Sequence, residues 1–244
     1  MTRHFFFDLD NTLTPSRAPM LPEHQALFIA LCARYDVIVV TGGAEEQIQK
    51  QIPIPATGSY WMLSQQGNHA VGKDGVLLWH ETVSPEQERA VRAFADMLTV
   101  ELSLSVLDAN DLFENRGSQL AYSTLGFHAP NELKYAYDPD QSKRRAILAA
   151  HPTELAALND AGIEAMPAGS TTIDFILKGK NKGHNISRFL AHEGWTKDEC
   201  IYIGDALFPG GNDETVIGVI PTHAVKDPDD TFRFVEASLA PLSS

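Results

Sequence analysis

Short apolar runs followed by polar or glycine-rich sequence recur near both ends of the chain. They contain many β-branched or aromatic residues and are too short for helices, which is typical of buried strands. The segment at 22–34 begins with proline and an acidic first turn, as helices do, and another helix is expected at 44–52. This alternation predicts an α/β fold with a parallel sheet. The apolar runs lie at residues 5–7, 37–40, 61–64 and 201–203.

A different pattern begins further along the chain. Ser84 precedes a proline and a glutamine in the arrangement of a capping box, so a helix is expected over 84–98. Helical sequence also occupies 140–161, with an interruption at His151-Pro152. Strands are expected near residues 101–107, 118–125, 163–167 and 171–177. Helices combined with strands in this way predict an α+β domain.

We therefore expect two domains built from three segments. Residues 1–82 and 179–244 would form the parallel-sheet core, and residues 83–178 would form the inserted domain. At 244 residues the chain is long enough to bury a substantial core. An inserted domain of this kind can close over a catalytic edge, exclude water and recognise part of a substrate.

Two carboxylates follow the first apolar strand. Asp8 and Asp10 are two residues apart, so on an extended chain their side chains share a face. Two anions this close are costly, and a divalent cation or a shared proton would offset the cost. The alternative is a turn in which Asp, Asn and Thr side chains bond local backbone groups.

A second acidic stretch follows the strand at 201–203. Asp205 and Asp213 flank a segment that contains Pro-Gly-Gly-Asn. The carboxyl ends of parallel strands meet at one edge, where open α/β sheets bind ligands, so the acidic groups of both stretches are expected to converge. Oxygen ligands suit Mg²⁺, which completes its octahedron with waters and phosphate oxygens. A phosphate ester is therefore the expected substrate class.

Two other segments supply groups that phosphoryl transfer needs. The strand at 37–40 ends in Thr41-Gly42-Gly43, whose hydroxyl and backbone N–H groups can bind phosphoryl oxygens. A strand-to-helix turn needs such residues as well, so both interpretations stay open. Lys182 opens a helix before the second acidic stretch and can supply positive charge, with Lys178 and Lys180 as alternatives.

These motifs resemble those of the haloacid dehalogenase-like phosphotransferases, and among them the phosphomannomutases. The opening Asp8-Leu9-Asp10-Asn11-Thr12-Leu13-Thr14-Pro15-Ser16-Arg17 is similar to that family's Asp-x-Asp-Gly-Thr-Leu-Thr-Pro-x-Arg, with Asn11 in place of glycine. The stretch from Gly204-Asp205 to Asn212-Asp213 follows the family's Gly-Asp-x-x-x-Pro-Gly-Gly-Asn-Asp. The resemblance implies an α/β fold: a Rossmann-like parallel-sheet core with an inserted α+β cap of type IIB.

The resemblance also implies a Mg²⁺-dependent reaction through an aspartyl-phosphate on Asp8, with Asp10 as general acid and base. The offset of Lys182 from Asp174 matches the family's spacing. The expected catalytic residues are Asp8, Asp10, Thr41 and Lys182. The expected metal ligands are Asp8, the backbone carbonyl of Asp10, Asp205 and Asp213, where Asp213 would either bind metal-associated water or orient Lys182. The expected substrate-binding residues are Arg17, Gly42, Gly43, Arg116, Ser123, Lys134, Thr172, Asp174 and Asn212.

The inserted domain departs from the phosphomannomutase pattern. Arg116 aligns with a substrate-phosphate arginine of that family, but Phe127 stands at a second arginine and Lys134 at a third. Phenylalanine removes a bidentate clamp, and lysine keeps only the charge. A mutase must hold a bisphosphate while it reorients, whereas a phosphatase needs only to admit water. We therefore favour hydrolysis of a sugar phosphate, with the interconversion of mannose 1-phosphate and mannose 6-phosphate as the alternative.

A third interpretation is non-enzymatic. A phospho-acceptor domain also uses an acidic sheet edge, and a sugar-phosphate-binding relative without catalysis is a further alternative, against which the complete acidic set argues. A phospho-acceptor needs neither an acid–base residue such as Asp10 nor an insertion of substrate size, so the presence of both favours an enzyme.

Composition limits the partners. The net charge of −13 argues against a nucleic-acid or anionic-membrane surface, because both need clustered Lys and Arg. The sequence contains no signal-like N-terminal apolar region and no run of membrane-spanning length, so a cytoplasmic enzyme with a small sugar-phosphate substrate is expected. The family resemblance implies a homodimer formed through the cap.

Overall fold

A computed structural model describes residues 2–103 and 109–240. The chain divides into two compact units. We call Met1–His80 with Lys180–Ser244 the core unit, and Glu81–Gly179 the inserted unit.

The described residues form strands and helices in both units. The strands are β1 (His4–Phe7), β2 (Asp36–Val40), β3 (Trp61–Ser64), β4 (His69–Val71), β5 (Leu77–His80), β6 (Phe113–Asn115), β7 (Gln119–Ser123), β8 (Ile163–Ala168), β9 (Thr172–Leu177), β10 (Cys200–Gly204) and β11 (Thr222–Ala224). The helices are α1 (Pro22–Arg34), α2 (Glu45–Gln51), α3 (Pro85–Glu101), α4 (Asn131–Tyr137), α5 (Ser142–Ala150), α6 (Pro152–Asp160), α7 (Lys182–Glu193) and α8 (Pro228–Leu239). None of these helices has the length and apolar character needed to cross a membrane.

The core unit is built on a seven-stranded sheet in the order β11-β10-β1-β2-β3-β4-β5. The strands from β11 to β3 are parallel, and β4 and β5 add antiparallel pairs. In β1, Phe5 and Phe7 pack on one face of the sheet with residues of α1 and α8, while Phe6 packs on the other with residues of α7. Burial on both faces explains the unbroken apolar run of this strand. The mostly parallel sheet confirms the predicted fold class.

The inserted unit is built on a four-stranded antiparallel sheet in the order β6-β7-β9-β8. Its apolar face, which includes Leu120, Tyr122 and Phe175, packs with residues of α3, α5 and α6. The opposite face is polar, because alternate residues of a strand point to opposite sides. On that face Ala121 pairs with Asp174 and Ser123 pairs with Thr172. The separate antiparallel sheet confirms the expected α+β insertion.

Several predicted boundaries differ from the observed ones. The predicted capping box at Ser84 is present, but α3 continues to Glu101 instead of ending at residue 98. The strand expected near 101–107 was wrong at its first residue, which is helical, and residues 104–107 lie outside the described part of the chain. Helix α4 and strand β6 were not predicted.

Candidate active site

The sheet register brings the two acidic stretches together. Strand β1 lies between β10 and β2, with Phe7 paired to both Ile203 and Val39. The backbone N–H of Asp8 donates to the carbonyl of Ile203 at 3.0 Å, so Asp8 leaves the sheet beside the Gly204 end of β10. The predicted convergence at one sheet edge is therefore observed for Asp8 and the second acidic stretch.

Lys182 is the central cation of this edge. The side chain of Asn181 accepts the N–H of His184 at 3.0 Å and caps α7, which places Lys182 in the first turn. The Lys182 ammonium is fully buried and donates to Asp8 Oδ1 at 2.5 Å and to Asp213 Oδ1 at 2.7 Å. It makes a third hydrogen bond, of 3.2 Å, to the hydroxyl of Tyr202. All three ammonium protons therefore have acceptors.

Asp213 is held by groups from three segments. Its Oδ1 accepts from Lys182 and from the Tyr202 hydroxyl, which lies at 2.7 Å, and its Oδ2 accepts the N–H of Ala206 at 3.3 Å. Gly204 lies so close that a Cβ there would collide with Asp213 Oδ2, which explains glycine at this position of the motif. These contacts support a role for Asp213 in orienting Lys182.

Asp205 is fixed by a residue from the other end of the chain. The hydroxyl of Thr12 donates to Asp205 Oδ1 at 3.2 Å and accepts the backbone N–H of Asp205 at 3.0 Å. Thr12 is fully buried. The adjacent Asn11 has a φ of 58°, a left-handed conformation that asparagine tolerates better than most residues, which accounts for asparagine where relatives have glycine.

The electrostatics of this edge show a shortage of positive charge. Burial raises the pKa of Asp8 well above its usual range, and the nearby carboxylates of Asp213 and Asp205 raise it against the opposing effect of Lys182. Burial and Asp213 also raise the pKa of Asp205. Burial alone would lower the pKa of Lys182, but attraction by Asp213 and Asp8 outweighs it and raises that pKa. One ammonium thus faces three carboxylates.

This donor set fits a divalent cation. Asp8, Asp205 and Asp213 each offer a carboxylate oxygen, and these oxygens lie within 4.8 Å of one another. Oxygen-only donors with surplus negative charge suit a hard cation of the Mg²⁺ type. The side chain of Asp10 is not part of this group. Its expected contribution, through the backbone carbonyl, stays a prediction.

Asp10 is instead held by helix α2. Gln47 Nε2 donates to Asp10 Oδ2 at 2.7 Å, and Gln51 Nε2 donates to Asp10 Oδ1 at 3.1 Å. The backbone N–H of Arg17 also donates to Oδ1, at 2.6 Å. Residues four apart share one helix face, so Gln47 and Gln51 act on the same carboxylate. The Arg17 side chain itself is exposed.

The segment Thr41-Gly42-Gly43 follows β2 at the same sheet edge. The Thr41 hydroxyl is buried and accepts the N–H of Gly43 at 3.1 Å. The loop after β3 closes on this segment, since the N–H of Gln66 donates to the carbonyl of Thr41 at 2.8 Å. A Cβ at Gly42 would lie 2.9 Å from Gln66 Nε2, so another residue here would require the Gln66 side chain to move. Asn212, in the other predicted loop, is exposed.

A family model decides the class of protein. Residues 2–208 match the model described as a haloacid dehalogenase-like hydrolase. The chain belongs to this family. Its reaction class is therefore the phosphoryl transfer of the haloacid dehalogenase-like enzymes.

Individual relatives of this haloacid dehalogenase-like enzyme agree with the motifs. A phosphomannomutase of Encephalitozoon cuniculi is 24% identical over 250 residues, which cover 96% of this chain and 93% of the relative. A phosphomannomutase of Glycine max is 24% identical over 236 residues, or 93% of this chain and 92% of the relative. These matches confirm the predicted resemblance to phosphomannomutases.

A solved structure shares the fold. The IMP-bound, N-terminally truncated IMP-nucleotidase of Plasmodium falciparum superposes with a TM-score of 0.67 at 14% identity, covering 97% of this chain and 68% of that chain. Similarity at this level of identity concerns the fold and supports the haloacid dehalogenase-like architecture.

The substrate-binding residues predicted in the inserted unit occupy two kinds of position. Ser123, Thr172 and Asp174 lie on β7 and β9, and all three are buried. Arg116 follows β6, and its Nε and Nη2 both donate to Glu114 Oε2, at 3.0 and 2.7 Å. Lys134, on α4, donates to the backbone carbonyl of Phe127. The predicted roles of these residues stay predictions.

Sequence reasoning missed several residues of this haloacid dehalogenase-like site. Tyr202 is fully buried within an apolar strand, and a buried tyrosine hydroxyl needs a polar partner, so its position was a usable signal. The four-residue spacing of Gln47 and Gln51 on a predicted helix was another. Glu114 and Arg116 are two apart, as neighbours on one strand face are.

Proposed function

We propose that this enzyme is a Mg²⁺-dependent phosphatase that hydrolyses a sugar monophosphate through an aspartyl-phosphate on Asp8. The observation that carries the proposal is the double hydrogen bond from Arg116 to Glu114. A guanidinium used in this way has its charge balanced by Glu114, and the Nε and Nη2 protons that point at Glu114 are not available for a bidentate grip on a remote phosphate. Phe127, which stands where relatives have arginine, lies with its ring centroid 5.9 Å from the Arg116 guanidinium. This arrangement suits a substrate that carries a single phosphate.

The nucleophile is a carboxylate oxygen of Asp8. Lys182 occupies Oδ1, which leaves Oδ2 as the attacking atom. Attack in line forms an Asp8–phosphorus bond and breaks the bond from phosphorus to the sugar oxygen, so a single slow displacement is divided into two steps. Bound Mg²⁺ would be held by Asp8 and Asp205 and would neutralise charge on the phosphoryl oxygens.

Asp10 supplies and removes the proton. In the first step it gives a proton to the departing sugar oxygen, and in the second it takes one from the water that attacks the aspartyl-phosphate. The bonds from Gln47, Gln51 and the Arg17 N–H occupy both oxygens of Asp10. Proton transfer to the sugar therefore requires one of these bonds to be exchanged for a bond to the leaving oxygen. Among the described hydrogen bonds, Oδ2 of Asp10 accepts only from Gln47. Loss of that one bond would therefore free Oδ2 to exchange a proton with the leaving sugar oxygen.

Phosphomannomutase activity is the second candidate. The complete Gly-Asp to Asn-Asp motif and the named phosphomannomutase relatives, which align with more than nine-tenths of this chain, favour it. In that reaction the sugar hydroxyl of a bisphosphate takes the place of water. A non-enzymatic phospho-acceptor would keep the aspartyl-phosphate.

The deciding experiment measures two products separately. Purified protein with Mg²⁺ is incubated with mannose 1-phosphate, with and without a trace of mannose 1,6-bisphosphate, and inorganic phosphate and mannose 6-phosphate are quantified. We expect one inorganic phosphate to be released for each mannose 1-phosphate consumed, with or without the bisphosphate. Bisphosphate-dependent formation of mannose 6-phosphate without phosphate release would replace hydrolysis with the mutase reaction.

Two controls define the chemistry. Addition of EDTA should stop phosphate release if a divalent cation is required, and Mg²⁺ should restore it. Incubation with radiolabelled acetyl phosphate tests the third candidate: label that stays on the protein for hours, without release of phosphate, would support a phospho-acceptor.

A further inference from the structure

The polar face of the inserted unit's sheet contains a buried amide with an unused acceptor. Gln119 begins β7 and is fully buried. Its Nε2 donates to Asp174 Oδ2, on the adjacent strand β9, at 2.5 Å. Its Oε1 is buried and has no hydrogen-bond partner among the described residues.

The orientation of this amide follows from its neighbour. If the amide were turned over, Oε1 would face a carboxylate oxygen of Asp174, and two acceptors would repel each other. Nε2 must therefore face Asp174, and Oε1 must point elsewhere. A buried acceptor without a donor is costly, and native structures retain such groups where an unseen partner completes them. A donor from a ligand would complete Gln119.

The charges nearby define the chemistry of that ligand. The backbone N–H of Arg116 donates to the carbonyl of Gln119 at 2.9 Å, so the two residues are neighbours across the β6–β7 turn. The Arg116 guanidinium is already neutralised by Glu114. An ionised phosphate or carboxylate has only acceptor oxygens and cannot satisfy Gln119 Oε1, whereas a neutral hydroxyl can donate to it.

We propose that Gln119 is a substrate-contacting specificity residue whose Oε1 accepts a hydrogen bond from a hydroxyl of the substrate's polyol. The inference rests on the proposed function and narrows its substrate class to monophosphates of neutral polyols. Sugar bisphosphates and phosphates of sugar acids are disfavoured. Gln119 also orients the carboxylate of Asp174 through its Nε2.

The test is a thermodynamic cycle in which a substrate hydroxyl and the Gln119 side chain are removed separately and together. Initial rates are measured for a hexose phosphate, for its monodeoxy analogues and for p-nitrophenyl phosphate, with wild-type protein and with Gln119→Met. One deoxy position should lower kcat/KM of the wild type at least about tenfold. In Gln119→Met the same deoxy substitution should cause less than about a twofold loss, because the hydroxyl no longer has its acceptor. The variant should also lose more activity toward the hexose phosphate than toward p-nitrophenyl phosphate.

A matched variant controls for general damage to the inserted unit. The hydroxyl of Tyr122 shares a 3.0 Å hydrogen bond with Thr99 on the apolar side of the same sheet, so Tyr122→Phe also removes a buried polar contact. It should leave the deoxy-analogue ratios of the wild type in place. If Gln119→Met does not fold, Gln119→Asn, which draws the amide back by one methylene, serves in the same cycle.

The outcomes separate this inference from the proposed function. Equal deoxy penalties in the wild type and the Gln119 variant at every position would overturn the role of Gln119, even if phosphate is released. If the protein releases no phosphate, the dissociation constants of the same analogues for the wild type and the Gln119 variant, measured by calorimetry, complete the same cycle. A position-specific loss of coupling would then support Gln119 while the phosphatase proposal fails.

Discussion

Two buried charge clusters in this molecule are built in opposite ways. In the core unit, the carboxylates of Asp8, Asp205 and Asp213 lie together, and the ammonium group of Lys182 donates to those of Asp8 and Asp213. In the inserted unit, the fully buried Arg144 faces one carboxylate, that of Asp138, through an Nε–Oδ2 hydrogen bond of 2.8 Å. The first cluster is short of positive charge, and the second is balanced.

Backbone carbonyl oxygens also accept hydrogen bonds from the Arg144 guanidinium. Its Nη1 donates to the carbonyl oxygens of Ala168, Gly169 and Thr172 at 2.5, 3.0 and 3.0 Å. Burial alone would raise the pKa of Asp138, but hydrogen bonds from the Arg144 side chain and from backbone N–H groups lower it. The pKa of Asp8 moves in the other direction. The opposite directions of the two pKa shifts match the difference in charge balance between the two clusters.

The largest effect is expected at the nucleophile. Asp8→Asn should lower kcat by at least about 10⁴-fold, since the amide cannot form the aspartyl-phosphate. The folded protein should lose little stability, because the change removes one of three competing anions. Phosphate release and thermal unfolding measure the two quantities. Near-normal turnover would contradict the assignment of Asp8 as the nucleophile. Unfolding at room temperature would contradict the account of an unbalanced cluster.

Substitution in the balanced cluster of Arg144 and Asp138 should lower the free energy of unfolding. Arg144→Met leaves Asp138 buried without its partner and should reduce the free energy of unfolding by about 3–5 kcal/mol. Urea denaturation measures this loss. The double variant Arg144→Met with Asp138→Asn should recover part of it, because no unpaired charge remains. Equal stability of the single and double variants would show that charge is not the cause.

A smaller effect is expected from Tyr202→Phe. The change removes the hydroxyl that contacts both Lys182 and Asp213, so kcat should fall about tenfold with little change in KM. Tyr60→Phe is a matched control, because the buried Tyr60 donates to the carbonyl of Ile54 at 3.2 Å and is remote from this network. Similar kinetic losses in both variants would remove the positioning role of Tyr202.

The smallest effect is a pH dependence of stability. Because folding lowers the pKa of Asp138, its contribution is fully present above the unfolded value of about 3.9 and is lost as pH falls through the folded value. The stability difference between wild type and Asp138→Asn should therefore shrink below about pH 4. Urea titrations from pH 7 to pH 3 test the trend. A difference that grows with acidity would reverse the sign assigned here.

The core site was predictable because its residues are fixed by strand ends. Asp8 follows an apolar strand and Asp205 ends another, and parallel strands carry their ends to one edge whatever the sequence between them. The residues that hold Asp10 were harder to predict. Gln47 and Gln51 reach it only through the placement of α2, which depends on packing that no short motif encodes.

The inserted unit was less predictable for related reasons. The capture of Arg116 by Glu114 depends on the β6–β7 hairpin, and β6 has only three residues, too few to show an alternating pattern. Helix α4 has only seven residues, and its start has Glu132 in the first turn but no side-chain cap, which is a weak signal. The partner of Asp174 could be assigned only once the register of β7 and β9 was known.

The position of β1 in the middle of its sheet has a consequence for biosynthesis. Thr12 and Asp205, which form two hydrogen bonds with each other, are 193 residues apart in the chain. Until β10 has been synthesised, the backbone edge of β1 that pairs with β10 has no partner, and unpaired strand edges promote aggregation. We therefore expect a fragment that ends before β10 to aggregate more readily than the full chain and, because it lacks Asp205 and Asp213, to release no phosphate.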